Sequence, residues 1–126
     1  MHHQIIHTSN APAPIGPYSQ AVKANGFLFC SGQIALHPQT GELIISDIET
    51  ETKQVMANIK SLLDAASIDF TNIIKTTIFL SDMNLFAQVN EIYGSYFSAN
   101  FPARETVAVK TLPRNVNVEI SVTAVL

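Results

Sequence analysis

Hydrophobic and polar positions change period several times along the 126-residue chain, and each change marks an element. In residues 116–125 the residues alternate. Val116, Val118, Ile120 and Val122 fall on one parity, and Asn117, Glu119, Ser121 and Thr123 on the other, the period-2 signature of a strand with one buried face. Residues 72–80 (N-I-I-K-T-T-I-F-L) are β-branched and aromatic and predict another strand. Residues 18–24 and 27–31 flank Asn25-Gly26, a strong short-range hairpin signal. Val55, Ile59, Leu62, Leu63 and Ala66 recur at helical spacing, and Ser46-Asp47-Ile48-Glu49 ahead of them has capping-box spacing. Phe86, Val89, Tyr93 and Phe97 predict a second helix, capped by Ser81-Asp82. Residues 104–110 form a further strand, set off from the last by the turn-like Leu112-Pro113-Arg114-Asn115, and residues 4–7 a short first one. The proline-rich stretch 10–17 reads as a stiff extended loop.

The order is β-β-α-β-α-β-β with no repeat or linker. It predicts one α+β domain, residues 1–126, with two helices on one face of a mixed sheet. By parity, Val107 and Val109 are expected on the core side, with Arg104, Thr106 and Ala108 opposite. Arg104 and Glu119 would then share the helix-free face with Phe27, Phe29 and Ser31. Such a face is half apolar, and a subunit contact is the simplest way to cover it.

Composition sharpens this picture. Apolar residues are 47% and charged ones only 13%, about half the ~25% of typical soluble domains, which argues against disorder and for surface buried against a partner. The net charge is −3, and the seven basic residues are scattered, so an electrostatic nucleic-acid footprint is not expected. No apolar stretch approaches a membrane span and the first residues lack a signal-peptide pattern. The lone Cys30 excludes an internal disulfide, so the expected compartment is the cytoplasm.

Few residues carry chemistry. His2, His3, His7 and His37 have no acidic or thiol partner at ligand spacing, so solvated histidines outweigh a metal site. Cys30, in an apolar strand, reads as a buried structural thiol rather than an activated one. The five glycines form no phosphate loop, and no nucleotide cofactor is supported. Arg104 is either a surface arginine or a two-bond clamp for a carboxylate. Glu119, the only acidic residue of the last strand, is either the partner of Arg104 or Lys110 or a general acid–base group in a partly dry pocket. Tyr18 and Ser31 offer hydroxyls; Tyr93, Tyr96 and Phe97 fit a core.

Taken in order, Ile15-Gly16-Pro17-Tyr18-Ser19-Gln20, Ser31-Gly32-Gln33, Lys75-Thr76-Thr77-Ile78-Phe79-Leu80, Val89-Asn90-Glu91-Ile92-Tyr93, Phe101-Pro102-Ala103-Arg104, Leu112-Pro113 and Val118-Glu119-Ile120 resemble the RidA/YjgF family of small imine deaminases, also called L-PSP endoribonucleases. The resemblance runs nearly end to end. It implies a chorismate-mutase-like fold in a homotrimer whose sheets form an inner barrel, with ligand clefts between subunits. It also implies cofactor-free hydrolysis of 2-imino acids such as 2-iminobutanoate and 2-iminopropanoate, or their enamines, to 2-oxo acids and ammonia. Pyridoxal-phosphate enzymes acting on threonine or serine release such imines. Carried over by position, Arg104 would bind the substrate carboxylate and Glu119 would activate water, with Tyr18, Ser31, Gly32, Asn90 and Thr106 lining the cleft. Many family members carry a cysteine two residues after the arginine. Here that position is Thr106, which keeps a small size and a hydroxyl, while Glu105 points to the other face. The alternative is a regulatory module that keeps the fold and recognises 2-oxo acids or a protein partner. A ribonuclease reading conflicts with the acidic charge.

Overall fold

The computed structural model describes residues 2–126; Met1, the first residue of the segment read for a leader, lies outside them. Six strands form one sheet in the order β1-β2-β3-β6-β4-β5: β1 Gln4–Ile6, β2 Ala21–Ala24, β3 Phe27–Cys30, β4 Ile73–Leu80, β5 Ala103–Ala108 and β6 Val118–Val125. All neighbours are antiparallel except β4 and β5, which makes the sheet mixed. Two helices, α1 Ile48–Ala65 and α2 Phe86–Gly94, complete the α+β architecture.

Asn25 and Gly26 take φ of 51° and 81°, the left-handed pair that a two-residue hairpin loop requires, and they join β2 to β3 as the sequence predicts. The parity of β6 is also as read: Val118, Ile120, Val122 and Ala124 are buried beneath α1, against its fully buried Val55, Met56, Ile59 and Leu63. Each such side chain contributes about 1.5–3 kcal/mol on leaving water.

Several boundaries differ from expectation: α2 ends at Gly94 and leaves Phe97 beyond it, β5 stops at Ala108 and β6 starts at Val118. The strand expected at 18–24 begins only at Ala21. Gln20 is buried, and its side-chain amide bonds the backbone of Thr8, Ala11 and Pro12, holding the proline-rich loop instead of extending the sheet. The cap of α1 is Asp47, whose carboxylate accepts from the Thr50 N–H at 2.7 Å, rather than Ser46 in a capping box. Asp82 caps a short 3-10 turn, Met83–Leu85, that leads into α2.

The larger correction concerns β5. It lies parallel to β4 with Arg104 opposite Thr76, Thr106 opposite Ile78 and Ala108 opposite Leu80. Thr76, Ile78 and Leu80 are buried on the helix side, so Arg104, Thr106 and Ala108 share that side. Glu105 and the 44%-exposed Val107 occupy the helix-free face. The V-A-V run of an edge strand is apolar in both parities, and only the pairing with β4 decides its face.

The helix-free face carries Phe27 and Phe29 beside Val125 and Thr123, with ring centroids 6.1 Å apart. One cross-sheet row runs Ile5, Val22, Phe29, Thr123, Lys75. Ile5 and Phe29 are 58% and 47% exposed in the single chain. Lys75 and Glu105 form an ion pair of 3.0 Å on this face, and the Thr77 hydroxyl donates to the same carboxylate.

Candidate functional site

Glu119 and Arg104 occupy two separate cavities. Glu119 stands opposite Phe79 and leaves the sheet on its helix-free side. Its cavity, about 410 Å³, is walled by Tyr18, Ser31, Gly32, Gln33 and Arg114, with Pro12, Ile15 and Leu36 as the apolar part. Two backbone bonds couple Gln33 to Ile120 (N–H to carbonyl at 2.8 Å and 3.1 Å in the two directions), so the segment 31–33 runs alongside β6. Ser31 is tied to the loop before β2: its N–H donates to the Gln20 carbonyl and its hydroxyl to the Ser19 carbonyl, at 2.9 Å and 2.6 Å. Between these fixed points lies Gly32. A β-carbon there would fall 2.2 Å from Oε2 of Glu119, so the absence of a side chain is what gives the carboxylate its place.

Glu119 makes no ion pair among the described residues; the pairs present are Lys53–Glu49, Lys60–Asp64 and Lys75–Glu105. The expected partnership with Arg104 or Lys110 is therefore not formed within the chain. Loss of solvent alone raises the Glu119 carboxyl above its ordinary value. Such a group takes up and returns a proton closer to neutrality than an exposed carboxylate does.

Arg104 belongs to a second cavity, about 500 Å³, with Asn90, Tyr93, Gly94, Phe101 and Pro102. Its Nη1 donates to Asn90 Oδ1 at 2.7 Å. The guanidinium carbon lies 5.7 Å from the Phe86 ring centroid and 5.4 Å from that of Tyr93, within cation–π range of both. The Tyr93 hydroxyl donates to buried Thr76 Oγ1 at 2.8 Å, which fixes the ring on which the guanidinium rests. Thr106 follows Arg104 on the same side, and its buried Oγ1 has no hydrogen-bond partner among the described residues. Stacked on two rings and held at one nitrogen, the guanidinium keeps other N–H groups for an anion.

The residues singled out in the sequence thus separate into two groups, Tyr18, Ser31, Gly32 and Glu119 in one and Asn90 and Arg104 in the other; Thr106 lies on the Arg104 side of the sheet but does not line that cavity, and its hydroxyl is buried. A single-chain pocket with Arg104 beside Glu119, as parity suggested, is not what forms. Sequence reasoning also assigned Tyr93 and Phe86 to the core alone. Their spacing from Asn90 along α2 (86, 90, 93) was the signal that one helix face carries all three toward Arg104. Gln33, read only within Ser31-Gly32-Gln33, and Arg114, read only within a turn, were given no site role; pairing with β6 brings the first into place.

Of the remaining candidates, the half-buried Cys30 has its thiol pushed up to about 12 by loss of solvent, which makes it a poor nucleophile at neutral pH. Among the described residues no three His, Cys, Asp or Glu side chains converge. No helix among them is long and apolar enough to cross a membrane.

Comparison with known proteins adds to this geometry. The family model described as Endoribonuclease L-PSP matches residues 8–126. The mouse protein named 2-iminobutanoate/2-iminopropanoate deaminase is 47% identical over 122 residues, covering 97% of this chain and 90% of that one. The Lactococcus lactis protein named putative regulator AldR is 50% identical over 121 residues, covering 96% of both chains. Among solved structures, Escherichia coli TdcF with bound serine superposes with a TM-score of 0.93 at 40% identity, covering 98% of both chains.

Proposed function

The chain belongs to the Endoribonuclease L-PSP family, known also as RidA/YjgF, and from that premise and its two half-sites we propose that it hydrolyses 2-imino acids and their enamines to 2-oxo acids and ammonia, in clefts formed between copies of itself. The observation that carries this reading is the separation of Arg104 from Glu119. One half-site offers a braced cation with free N–H groups; the other offers a partly desolvated carboxylate that makes no ion pair, although Arg114 also lines its cavity. Neither holds both the ring-stacked guanidinium and the desolvated carboxylate. The exposed apolar helix-free face gives a reason for copies to associate, and a homotrimer is the assembly that the family resemblance implies.

In the proposed cleft Arg104 of one copy grips the substrate carboxylate through a two-bond fork, with Asn90 setting the fork's orientation. Glu119 of a neighbouring copy takes a proton from water as its oxygen bonds to the imine carbon. The same carboxyl then returns a proton to nitrogen. Glu119 then moves the proton of the new hydroxyl to the same nitrogen; the C–N bond breaks, its electron pair leaves with ammonia, and the oxygen remains as the 2-oxo carbonyl. Water and imine are the only reactants, and no cofactor enters the balance. Tyr18 and Ser31 lie on the Glu119 side as hydroxyls for the substrate, whereas the Thr106 hydroxyl is buried and is not offered to it. Substrates of the 2-iminobutanoate and 2-iminopropanoate size are the ones supported by the mouse relative's name, and serine bound to TdcF is a small molecule with the same α-carboxylate.

A regulatory reading is favoured by the name of the Lactococcus relative. Glu119 separates the two, because holding a carboxylate needs only the arginine. The deciding assay generates 2-iminobutanoate with a threonine dehydratase and traps residual imine with semicarbazide. Added protein is expected to lower the trapped product catalytically, above the spontaneous hydrolysis. No effect at stoichiometric protein, with 2-oxobutanoate still bound, would establish the binding module instead.

A further inference from the structure

Glu51 is fully buried on α1 and forms no ion pair among the described residues. A buried carboxylate without a cation needs several hydrogen bonds to offset its lost hydration, and all of those it has converge on one short segment. Oε2 accepts from the backbone N–H groups of Asn117 (2.7 Å) and Val118 (3.1 Å), and Oε1 from the side-chain amide of Asn117 (2.8 Å). Asn117 is also tied to the end of β4. The Ser81 N–H donates to its carbonyl at 3.0 Å, and the Ser81 hydroxyl to its Oδ1 at 3.2 Å. Three elements, α1, β4 and β6, therefore meet at the bend that launches β6, two residues ahead of Glu119.

From this junction we infer that Glu51 is a positioning residue for Glu119: its carboxylate sets the bend from which β6 starts and so where the Glu119 carboxyl stands. The inference rests on the role proposed above for Glu119. Two successive N–H groups bonded to one oxygen leave the bend little freedom to rotate. On the far side Ile120 is bonded to Gln33, and the Glu119 carboxylate itself abuts Gly32. Slack at the bend thus has one soft outlet, the Glu119 side chain. Positioning errors of about 1 Å cost up to about a hundredfold in rate.

The test compares Glu51→Ala, Glu51→Asp and Glu51→Gln, with exposed Glu49→Gln on the same helix as control. Each is assayed for imine hydrolysis, and the Glu119 side-chain carboxyl is followed by carbon NMR. Glu51→Ala is expected to lower kcat about tenfold or more with KM within about twofold, because carboxylate binding by Arg104 is untouched. Glu51→Asp keeps the charge but draws it back by one methylene. It is expected to lower kcat several-fold and to displace the Glu119 resonance. Glu51→Gln is expected to stay within about threefold of wild type: its amide oxygen accepts both backbone N–H groups, and the Asn117 amide turns over, with Ser81 Oγ as acceptor. Should Glu51→Ala not fold, Glu51→Asp decides. A folded Glu51→Asp protein with wild-type kcat and an unmoved Glu119 resonance would overturn the inference, as would a loss confined to KM. If the wild type hydrolyses no imine, the function proposed above fails, and the Glu119 resonance still judges Glu51 on its own.

Discussion

A β-carbon placed on Gly32 would lie 2.2 Å from Oε2 of Glu119, closer than any real side chain approaches a neighbour. The glycine is held from both sides, Ser31 by the loop before β2 and Gln33 by β6, so the backbone cannot retreat. Gly32→Ala is therefore expected to push the Glu119 carboxyl out of place. A loss of about 10- to 100-fold in kcat, with native circular dichroism and little change in KM, is the expected outcome of the trapping assay.

Arg104 is braced rather than merely present. Replacing it with alanine removes a charge-assisted pair to the substrate and should cost about 2–4 kcal/mol, or roughly 30- to 1,000-fold in kcat/KM. Arg104→Lys should recover little, since an ammonium offers no planar fork and stacks less well on Phe86 and Tyr93. Thermal melts of both variants should remain cooperative, because the guanidinium and its partner Asn90 are both exposed and no buried group is orphaned.

Glu119 links activity to pH and stability. Burial raises its folded pKa above the unfolded value, so the protonated form is favoured in the folded chain. Its contribution to stability is present in acid and lost as pH rises through the folded pKa. In the dissociated chain Glu119→Gln, neutral throughout, should match wild type in Tm near pH 4 and exceed it near pH 8, and Arg104 of a neighbouring copy should shrink that difference in the assembly. Over the same interval wild-type kcat/KM should rise as the base deprotonates. The Gln variant should lose about 10²–10⁴ of the activity together with that acid limb. Equal Tm values of the dissociated chains at both pH values would remove the buried-carboxylate premise.

Much of this could be read in the residues, and the failures share a cause. The α1 stripe, the Asn25-Gly26 hairpin and the alternation of β6 are local signals, and each formed as expected. Glu119 stood out as the acidic position on the polar parity of an otherwise apolar strand. The face of Arg104 was not legible, because a parallel pairing with β4, some 28 residues back in the chain, sets it (Thr76 opposite Arg104). Ser46 and Asp47 are both good caps in adjacent positions, and only the reach of the Asp47 carboxylate to the Thr50 N–H decides between them. Gln20 looked like a strand residue because its side-chain bonds to a loop eight to twelve residues away leave no pattern.

Cys30 should be silent chemically. With its thiol pushed up to about 12 by burial, it should not react with an aromatic disulfide reagent at pH 8 in the native protein, and should react stoichiometrically in denaturant. Rapid native labelling with loss of activity would mean that the β3 region opens readily.

The central claim, that Arg104 and Glu119 act together only across two copies, is tested most directly by complementation. Arg104→Ala and Glu119→Gln proteins, each nearly inactive alone, are mixed in equal amounts, unfolded, refolded together and assayed by semicarbazide trapping. In a ring where each cleft takes Arg104 from one copy and Glu119 from the next, random mixing leaves about one cleft in four intact, so about a quarter of wild-type activity should return. If both residues served one chain's own site, every site would carry a defect, and the mixture would be as inactive as its parts.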